Sequence, residues 1–306
     1  PTRRSSDLSA TPDGFRDQVR ALGRRYRLIG LEDLLEDNRS RSDDRPAALI
    51  TFDDGYRDNY TNALPILQEI GAKAVFFIPS GLIDAPCLAW WDFIARVIKQ
   101  TRVPRFDIKR FTGHPSPVEI VLGSNPDEAQ RIQAIKTIID LFLRHEIPDE
   151  EAFLAHLADR AEVSLDRQAL GQELHMTWGQ IKLLAEAGMA IGSHGKTHRA
   201  LGWLDDDAQG AELAESKRRL EEAVHGEVAA IAYPFGWAGA FDDRTLAMAA
   251  EAGYRFGFTS LEGINRLGQS DLDPLALRRL NVGTGDTPAL LRARSALHGS
   301  LGKSFL

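Results

Sequence analysis

The sequence has almost no cysteine, and this scarcity limits the chemistry open to it. Among 306 residues, Cys87 is the single cysteine, which excludes an internal disulfide and a cysteine-rich zinc site. No stretch reaches the roughly 18 uninterrupted apolar residues of a membrane-spanning helix. Basic residues are also few, since 37 lysines and arginines face 44 aspartates and glutamates. The resulting net charge of −7 does not favour a polyanionic partner such as nucleic acid.

The first residues of the chain have the look of a translated sequencing adapter. The chain begins with Pro1 instead of methionine, and we expect residues 1–8 to be a non-native remnant that hides any export signal. Hydrophobic residues make up 43% of the chain, and its length suits one large α/β domain. We therefore expect a single domain over residues 9–306. The single cysteine slightly favours the cytoplasm without excluding export.

Short apolar runs alternate with helical patterns along most of the chain. Strands are predicted at residues 47–52, 74–78, 189–192 and 229–233, near 254–258 and near 277–282. Such alternation indicates a parallel sheet, in a barrel or in a doubly wound fold. Between residues 86 and 175 it gives way to three helical patterns, which we interpret as a helical insertion and not as an independent domain.

Several helix signals are also readable. Thr11 is predicted to open the first helix, and Gly71 to stop a helix that begins near Tyr60. Farther along, the i, i+4 spacing of Glu215 and Arg219 predicts an ion pair on a charged helix face.

Two motifs place reactive side chains directly after predicted strands. Residues 51–56, TFDDGY, carry Asp53 and Asp54, and residues 193–198, SHGKTH, carry His194 and His198. Either motif alone is as typical of a solvated turn or a surface helix. Together, one carboxylate and two histidines leave coordination positions open on a divalent ion, and the second carboxylate can serve as a base. The combination predicts a metal-dependent hydrolase.

A third motif follows another predicted strand. Residues 233–236 read Tyr-Pro-Phe-Gly, and proline and glycine are favoured in any tight turn. The alternative is a loop whose backbone N–H faces a developing oxyanion. We favour the second interpretation because the other two motifs are present.

Together, the three motifs resemble those of the NodB-like polysaccharide deacetylases, carbohydrate esterase family 4. The likeness runs from Thr11 to about Val282, although the insertion matches nothing general to the family. It implies a distorted (β/α)7 barrel with one catalytic domain, acting on a carbohydrate that carries N-acetyl amino sugars. It also implies a divalent ion, zinc or else cobalt, nickel or iron, held by Asp54, His194 and His198.

The resemblance also implies roles for individual residues. Asp53 would be the general base that deprotonates a metal-bound water, and the backbone N–H of Phe235 would hold the oxyanion as an acetamide is hydrolysed. Substrate contacts are expected from Tyr56, Trp178, Tyr233, Pro234 and Gly236. For Trp178, packing in the protein is an equally good interpretation.

The chain departs from the family pattern at two places. Many members carry an arginine two positions before the proline of the third motif, where this chain has Ala232. Arg279 is our candidate to orient the base in its place, although a surface arginine is an open alternative. His298 is the one late candidate for a general acid, and it is predicted to end a helix over residues 288–297. The general acid is therefore unassigned, and Asp53 could return the proton itself.

Two other functions stay open on the sequence alone. The same site could serve another amidohydrolase, such as a deformylase or a hydrolase of cyclic amides. The domain could also bind glycans without turnover, since the usual arginine and the general acid are missing. Retention of Asp53 beside a complete metal-binding set speaks against the binding role.

Overall fold

The structure is a computed structural model that describes residues 10–35, 45–108, 117–144, 149–266, 272–283, 285–287, 289–291 and 293–294. Residues 1–8 and His298 lie outside this part of the chain, as does half of the helix predicted at 288–297; residues 289–291 and 293–294 of it are described and helical. The chain forms two compact units. We call residues 87–173 the inserted unit, and the described residues before and after it the sheet unit.

Nine strands and eleven α-helices are present in the described residues. The strands are β1 Arg27–Ile29, β2 Ala47–Phe52, β3 Ala74–Ile78, β4 Arg105–Ile108, β5 Val118–Val121, β6 Ala190–Ser193, β7 Ala230–Ala232, β8 Phe256–Glu262 and β9 Leu277–Arg279. The helices are α1 Pro12–Arg25, α2 Glu32–Leu35, α3 Leu64–Ile70, α4 Ser80–Asp84, α5 Trp90–Gln100, α6 Glu128–Arg144, α7 Glu150–Arg160, α8 Arg167–Leu174, α9 Trp178–Glu186, α10 Asp206–Val224 and α11 Asp243–Glu251. Within the described residues, no helix combines the length and apolarity needed to cross a membrane.

The sheet unit is built on seven parallel strands in the order β1-β2-β3-β6-β7-β8-β9. With their helices they form the distorted (β/α)7 barrel predicted from the sequence. Phe52 pairs with Phe76, and Ile78 pairs with Ser193, so the carboxyl ends of β2, β3 and β6 lie at one edge. Ala232, the last residue of β7, pairs with Phe258. The three predicted motifs follow β2, β6 and β7 and therefore share this edge.

Continuous apolar sequence produces the central strands. All five residues of β3 are buried, and Phe52 at the end of β2 stacks on Phe76 with ring centroids 4.8 Å apart. Helix α1 covers β2 through Phe15, whose ring lies edge-on to Phe52 at 5.5 Å. Thr11 caps this helix as predicted, accepting a hydrogen bond from the N–H of Gly14 at 3.1 Å.

Several boundaries differ from the sequence prediction, among them the start of α3 and the end of β9. A π-helical turn, Asn59–Ala63, precedes α3, so the α-helix begins at Leu64 and not near Tyr60; Gly71 ends it in the left-handed conformation, φ 72°, as predicted. Strand β9 ends at Arg279 and does not continue to residue 282. A register shift against β8 between Phe258 and Glu262 interrupts the regular pairing there.

The inserted unit contains the three predicted helices, α5, α6 and α7, and a short α8. It also contains an antiparallel pair, β4–β5, that the sequence prediction missed. Phe106, Ile108 and Ile120 are buried on one face of this pair while charged residues alternate with them. The unit spans nearly the predicted range of 86–175, and its assignment to a single catalytic domain stays a prediction.

Candidate metal centre

Three side chains converge at the carboxyl edge of the sheet. Asp54 lies just after β2. His194 directly follows β6, and His198 lies four residues later in the same loop. Asp54 Oδ1 lies 3.4 Å from His194 Nε2 and 3.3 Å from His198 Nε2. One potential ligand atom from each residue lies within 4.8 Å of the other two. Both imidazoles are buried, whereas the Asp54 side chain is 28% exposed, so the cluster is open to solvent on the carboxylate side.

The backbone fixes the orientation of the first imidazole. The backbone N–H of His194 donates to the carbonyl of Ile78 at 3.0 Å. Its Nδ1 lies 2.6 Å from the carbonyl oxygen of Ala232, which can only accept, so Nδ1 carries the proton and donates. A neutral His194 therefore presents the lone pair of Nε2 to the Asp54 carboxylate. Two acceptors that face each other in this way call for a cation between them, which is the arrangement of a metal site.

The electrostatics of the cluster agree with this geometry. Burial is the strongest influence on Asp54 and acts to raise its pKa, but the close contacts with His194 and His198 together outweigh it and hold this pKa well below the ordinary value. Burial disfavours the charged form of His194, yet Asp53 and Asp54 raise its pKa above the ordinary value. Burial prevails at His198, whose pKa is lowered. Two ionised carboxylates and one imidazole that resists protonation leave the cluster with an attraction for a cation.

Glu212 holds the loop that carries the histidines, residues 193–198, which we call the histidine loop. Glu212 lies on α10 and is buried. Its carboxylate accepts hydrogen bonds from the backbone N–H groups of Lys196 at 2.7 Å and Thr197 at 2.9 Å, and from the Thr197 hydroxyl. On the other side, Gly81 N–H donates to the carbonyl of Lys196 at 2.7 Å. The loop is thus fixed between α4 and α10, and the spacing of its two histidines is fixed with it.

The second carboxylate of the pair, Asp53, is paired with Arg279. The guanidinium donates from Nη1 to Oδ1 at 2.8 Å and from Nη2 to Oδ2 at 2.9 Å, which is a bidentate pair. Arg279 is only 12% exposed, and its Nε donates to the carbonyl of Thr259 at 2.8 Å. Burial acts to raise the pKa of Asp53, but the charge and the hydrogen bonds of Arg279 oppose it, and this pKa is lowered. Asp53 is therefore an ionised carboxylate in a fixed orientation beside the cluster.

Backbone strain is concentrated at this site. Five non-glycine residues in the described chain have positive φ, and three of them are Asp54 at 70°, His198 at 59° and Phe235 at 64°. Left-handed backbone is costly for residues with a Cβ, and it persists where the surroundings impose it. Two of the three are members of the cluster, and the third is in the third motif.

The third motif packs directly on the cluster. The Phe235 ring lies 4.9 Å from the ring of His198, at an angle of 74°. Gly236 has φ 62°, and a Cβ there would come within 2.5 Å of the backbone nitrogen of Ser260. Ser260 N–H donates to the carbonyl of Gly236 at 2.9 Å. Glycine is thus required for the close approach that presses Phe235 against the histidine.

A comparison of the sequence with models of known families assigns the chain to one of them. The model of the family described as polysaccharide deacetylase matches residues 40–257. The chain belongs to the polysaccharide deacetylase family. This is carbohydrate esterase family 4, whose members are hydrolases that act on carbohydrates, and the resemblance seen in the motifs is confirmed.

The chain resembles other proteins in sequence and in fold. YxkH of Bacillus subtilis (strain 168), a protein assigned to this family, is 30% identical over 237 residues, 78% of this chain and 52% of YxkH. The chain therefore spans about half the length of this relative. Among solved structures, the deacetylase PplD of Streptococcus pyogenes, in complex with acetate, has a TM-score of 0.58 at 20% identity, over 93% of this chain and 87% of PplD.

A second solved structure has a similar likeness. It is a de-N-acetylase from Aggregatibacter actinomycetemcomitans, with a TM-score of 0.57 at 13% identity over 95% of both chains. At these identities the structural likeness shows the shared fold, which is the barrel described above.

The remaining residues that we expected to contact a carbohydrate lie in different surroundings. Tyr233 is fully buried, its hydroxyl donates to the carbonyl of Leu275 at 2.9 Å, and its position is that of a packing residue. Tyr56 is 5% exposed and stacks on His175 at 5.5 Å, so its ring also packs inside the protein. Both positions differ from the predicted substrate contacts, because each ring is already enclosed by protein.

Both the ring face and the indole nitrogen of Trp178 contact other side chains of the protein. The Arg219 guanidinium lies 4.1 Å from the ring centroid, and the indole N–H donates to Asp84 at 2.9 Å. Packing is the alternative that these contacts favour, and a substrate role for Trp178 stays a prediction. Pro234 lies beside the histidine loop, where its ring would be 3.6 Å from a Cβ at Gly195. Pro234 and Gly236 shape the loop whose Phe235 touches His198.

The sequence analysis missed Glu212, although a signal for it is present. The buried side of α10 repeats at helical spacing and includes polar residues among the apolar ones: Gln209, Glu212, Leu213, Ser216 and Leu220. An acidic residue within an apolar stripe needs partners when it is buried. Here the partners are the N–H groups of the histidine loop, and only the fold brings them to the helix.

Proposed function

We propose that this chain is a metal-dependent N-deacetylase that hydrolyses the acetamide of an N-acetylated amino sugar in a glycan or glycan precursor. The observation that carries the proposal is the bidentate pair of Arg279 with Asp53, next to the cluster of Asp54, His194 and His198. A deacetylase of this kind needs an ion site and a separate, correctly oriented base, and the described residues supply both. The PplD structure, which contains acetate, has the same fold, and acetate is the product that this reaction releases.

The ion would be held by Asp54, His194 and His198. Two buried imidazole nitrogens and one carboxylate oxygen are ligands that suit zinc, and they also accept cobalt, nickel or iron. When bound, a divalent ion supplies Lewis acidity that polarises an amide carbonyl and lowers the pKa of water.

The protein's own groups would handle the proton. Asp53, ionised and oriented by Arg279, accepts a proton from the water that attacks the acetamide carbon. The backbone N–H of Phe235 stabilises the oxyanion that forms on the former carbonyl oxygen. Asp53 then returns its proton to the amine nitrogen as the carbon–nitrogen bond breaks. The products are acetate and a free amino sugar, and no separate general acid is needed.

The same pair of residues favours turnover over a purely glycan-binding role. A binding domain has no use for a carboxylate that is held by an arginine beside an ion site. Pairing at this position costs desolvation of two charges, which a site that only binds sugar would not need to retain.

The test measures acetate release from N-acetylglucosamine oligomers and from nucleotide-linked N-acetyl sugars, with added zinc or cobalt. The matched variant is Asp53→Asn, which keeps the size of the side chain and removes the base. We expect metal-dependent acetate release by the wild-type chain and a loss of about 10²- to 10⁴-fold in the variant, the range of a general base. Equal metal content in both proteins must be shown by elemental analysis. A metal-loaded wild-type chain that releases no acetate from any of these sugars would refute the proposal.

A further inference from the structure

Two tryptophans are exposed in loops near the candidate metal centre. Trp203 ends the short 3-10 helix Leu201–Trp203 after the histidine loop, and Trp237 follows the third motif; they are 54% and 36% exposed. The two loops are joined, since Gly202 N–H donates to the carbonyl of Ala240 at 2.9 Å. Tryptophan is a large apolar residue that is mostly buried. An exposed one that also stacks on a residue of the candidate site, as Trp237 does on Phe235, therefore points to a ligand.

A row of stacked rings connects Trp237 to the metal centre. The ring of Phe235 lies 4.9 Å from that of His198, and the Trp237 ring lies 4.9 Å from that of Phe235, tilted by 42°. Trp237 is therefore two ring contacts away from a candidate metal ligand. Trp203 is not part of this row, although it is the more exposed of the two.

The loop that carries Trp237 is fixed on both sides. On one side, Gly236 is locked against Ser260, with no space for a side chain. On the other, Phe241 stacks on the buried ring of Tyr233 at 5.1 Å, and a backbone bridge joins Ala238 to Phe241. The indole is thus held in position before any ligand arrives. A fixed aromatic ring offers a large contact area at little conformational cost.

We infer that Trp237 is a stacking platform for the sugar unit next to the one that loses its acetyl group. This inference rests on the proposed function. A pyranose ring presents C–H bonds on its faces, and these pack against the electron-rich face of an indole. A chain whose acetamide reaches the ion site extends its neighbouring unit away from that site, and Trp237 lies beyond Phe235 in the row of rings that begins at His198. A single amino sugar has no group that would reach this ring.

The first test measures binding, so that it does not depend on turnover. The zinc-loaded Asp53→Asn protein is titrated with a hexamer of N-acetylglucosamine in a calorimeter, with Trp237 intact and with Trp237→Ala. We expect Trp237→Ala to weaken hexamer binding by about 3- to 10-fold, the range of one aromatic contact. Trp237→Phe keeps a ring and should retain most of the affinity. Trp203→Ala is the matched control and should bind the hexamer as the parent does.

The second test uses the catalytically competent chain. In Trp237→Ala, kcat/KM for the hexamer should fall by the same factor, whereas kcat/KM for N-acetylglucosamine itself should not change. An equal fall for both substrates would overturn the inference, because it would indicate damage to the metal centre. Unchanged hexamer affinity in Trp237→Ala would overturn it as well, and so would a parent protein that does not bind the hexamer. If the wild-type chain released no acetate but Trp237→Ala still weakened hexamer binding, the platform would stand and the proposed function would fail.

Discussion

Buried polar groups have different roles in the two units of this protein. In the inserted unit, the Thr101 hydroxyl donates to the carbonyl of Ala161 at 2.7 Å, and Arg131 donates to the carbonyl of Thr101 at 3.3 Å. Both bonds satisfy backbone groups where helices end. In the sheet unit, by contrast, the buried Glu212 and His194 serve one edge of the sheet, where the metal centre lies. In these examples, polar burial completes helix ends in the inserted unit and supports the candidate site in the sheet unit.

Backbone strain follows the same division. In the described part of the inserted unit, the one non-glycine residue with positive φ is Glu162, which lies in the turn after α7. In the sheet unit, three such residues lie at the metal centre. The comparison teaches that the stability of the chain and its chemistry can be altered separately by choosing the unit to change. The following predictions test this separation, from the largest effect to the smallest.

Removal of a ligand should have the largest effect. His198→Ala leaves only two of the three proposed ligands, so we expect it to abolish stoichiometric zinc binding and the rise in Tm that zinc gives the wild-type protein. Elemental analysis and thermal melts with and without zinc measure both. His156→Ala, a histidine of the inserted unit, is the control and should keep the metal. Full zinc occupancy in His198→Ala would show that the ligand set is wrong.

Opening a cavity in the inserted unit should affect stability alone. Phe153 on α7 is fully buried, and Phe153→Ala should lower the free energy of unfolding by about 3–5 kcal/mol. The zinc affinity of the folded protein should not change, because the centre is built from the other unit. Chemical denaturation and a zinc competition titration measure the two quantities. A parallel loss of zinc affinity would break the separation between the units.

Changes to Arg279 should affect catalysis without affecting the metal. Arg279→Lys keeps the charge but loses the bidentate geometry, and we expect kcat to fall by about 10- to 100-fold with normal zinc content. Arg279→Gln also removes the charge that lowers the pKa of Asp53, so this pKa should rise. Asp53 acts in its ionised form, so activity would then be lost at a higher pH as the solution is acidified. A pH–rate profile whose acidic limb does not move would contradict the assignment of Asp53 as the base.

The smallest effect is expected at Glu212. Glu212→Ala removes both accepting oxygens and leaves the N–H groups of Lys196 and Thr197 without this acceptor. We expect zinc affinity to fall by about 10-fold, the scale at which residues behind the ligands act. Glu215→Ala is the matched control, since Glu215 pairs with the Lys196 side chain at the surface and should not affect zinc affinity. Equal zinc affinity in the two variants would remove Glu212 from the site.

The parts of the fold that depend on local sequence were predictable. The strands at Ala47–Phe52 and Ala74–Ile78 agree with the prediction at both ends, because each is a continuous apolar run. The β4–β5 pair was missed, since its two strands are only four residues long and carry charged residues between the apolar ones. Strand length and alternation of this kind are weak signals.

Interactions between distant segments were less predictable. The predicted ion pair of Glu215 with Arg219 was wrong: Arg219 binds Asp84 at 2.9 Å, and Glu215 binds Lys196 at 2.5 Å. Both partners lie far away in sequence, and spacing along one helix cannot reveal them. The choice of Arg279 came from the family resemblance, and its contact with Asp53 joins residues 226 positions apart. The catalytic roles assigned from the motifs stay predictions until the variants are measured.

The hydrogen bonds from the histidine loop to Glu212 determine which positions of that loop can change in sequence. At Lys196 the carboxylate holds the main-chain N–H, while the side chain points to the surface and is 44% exposed. Any residue except proline supplies that N–H. The residue at position 196 can therefore change without loss of this bond, and the charge next to the candidate metal centre can be altered by evolution or by design while the histidines keep their spacing.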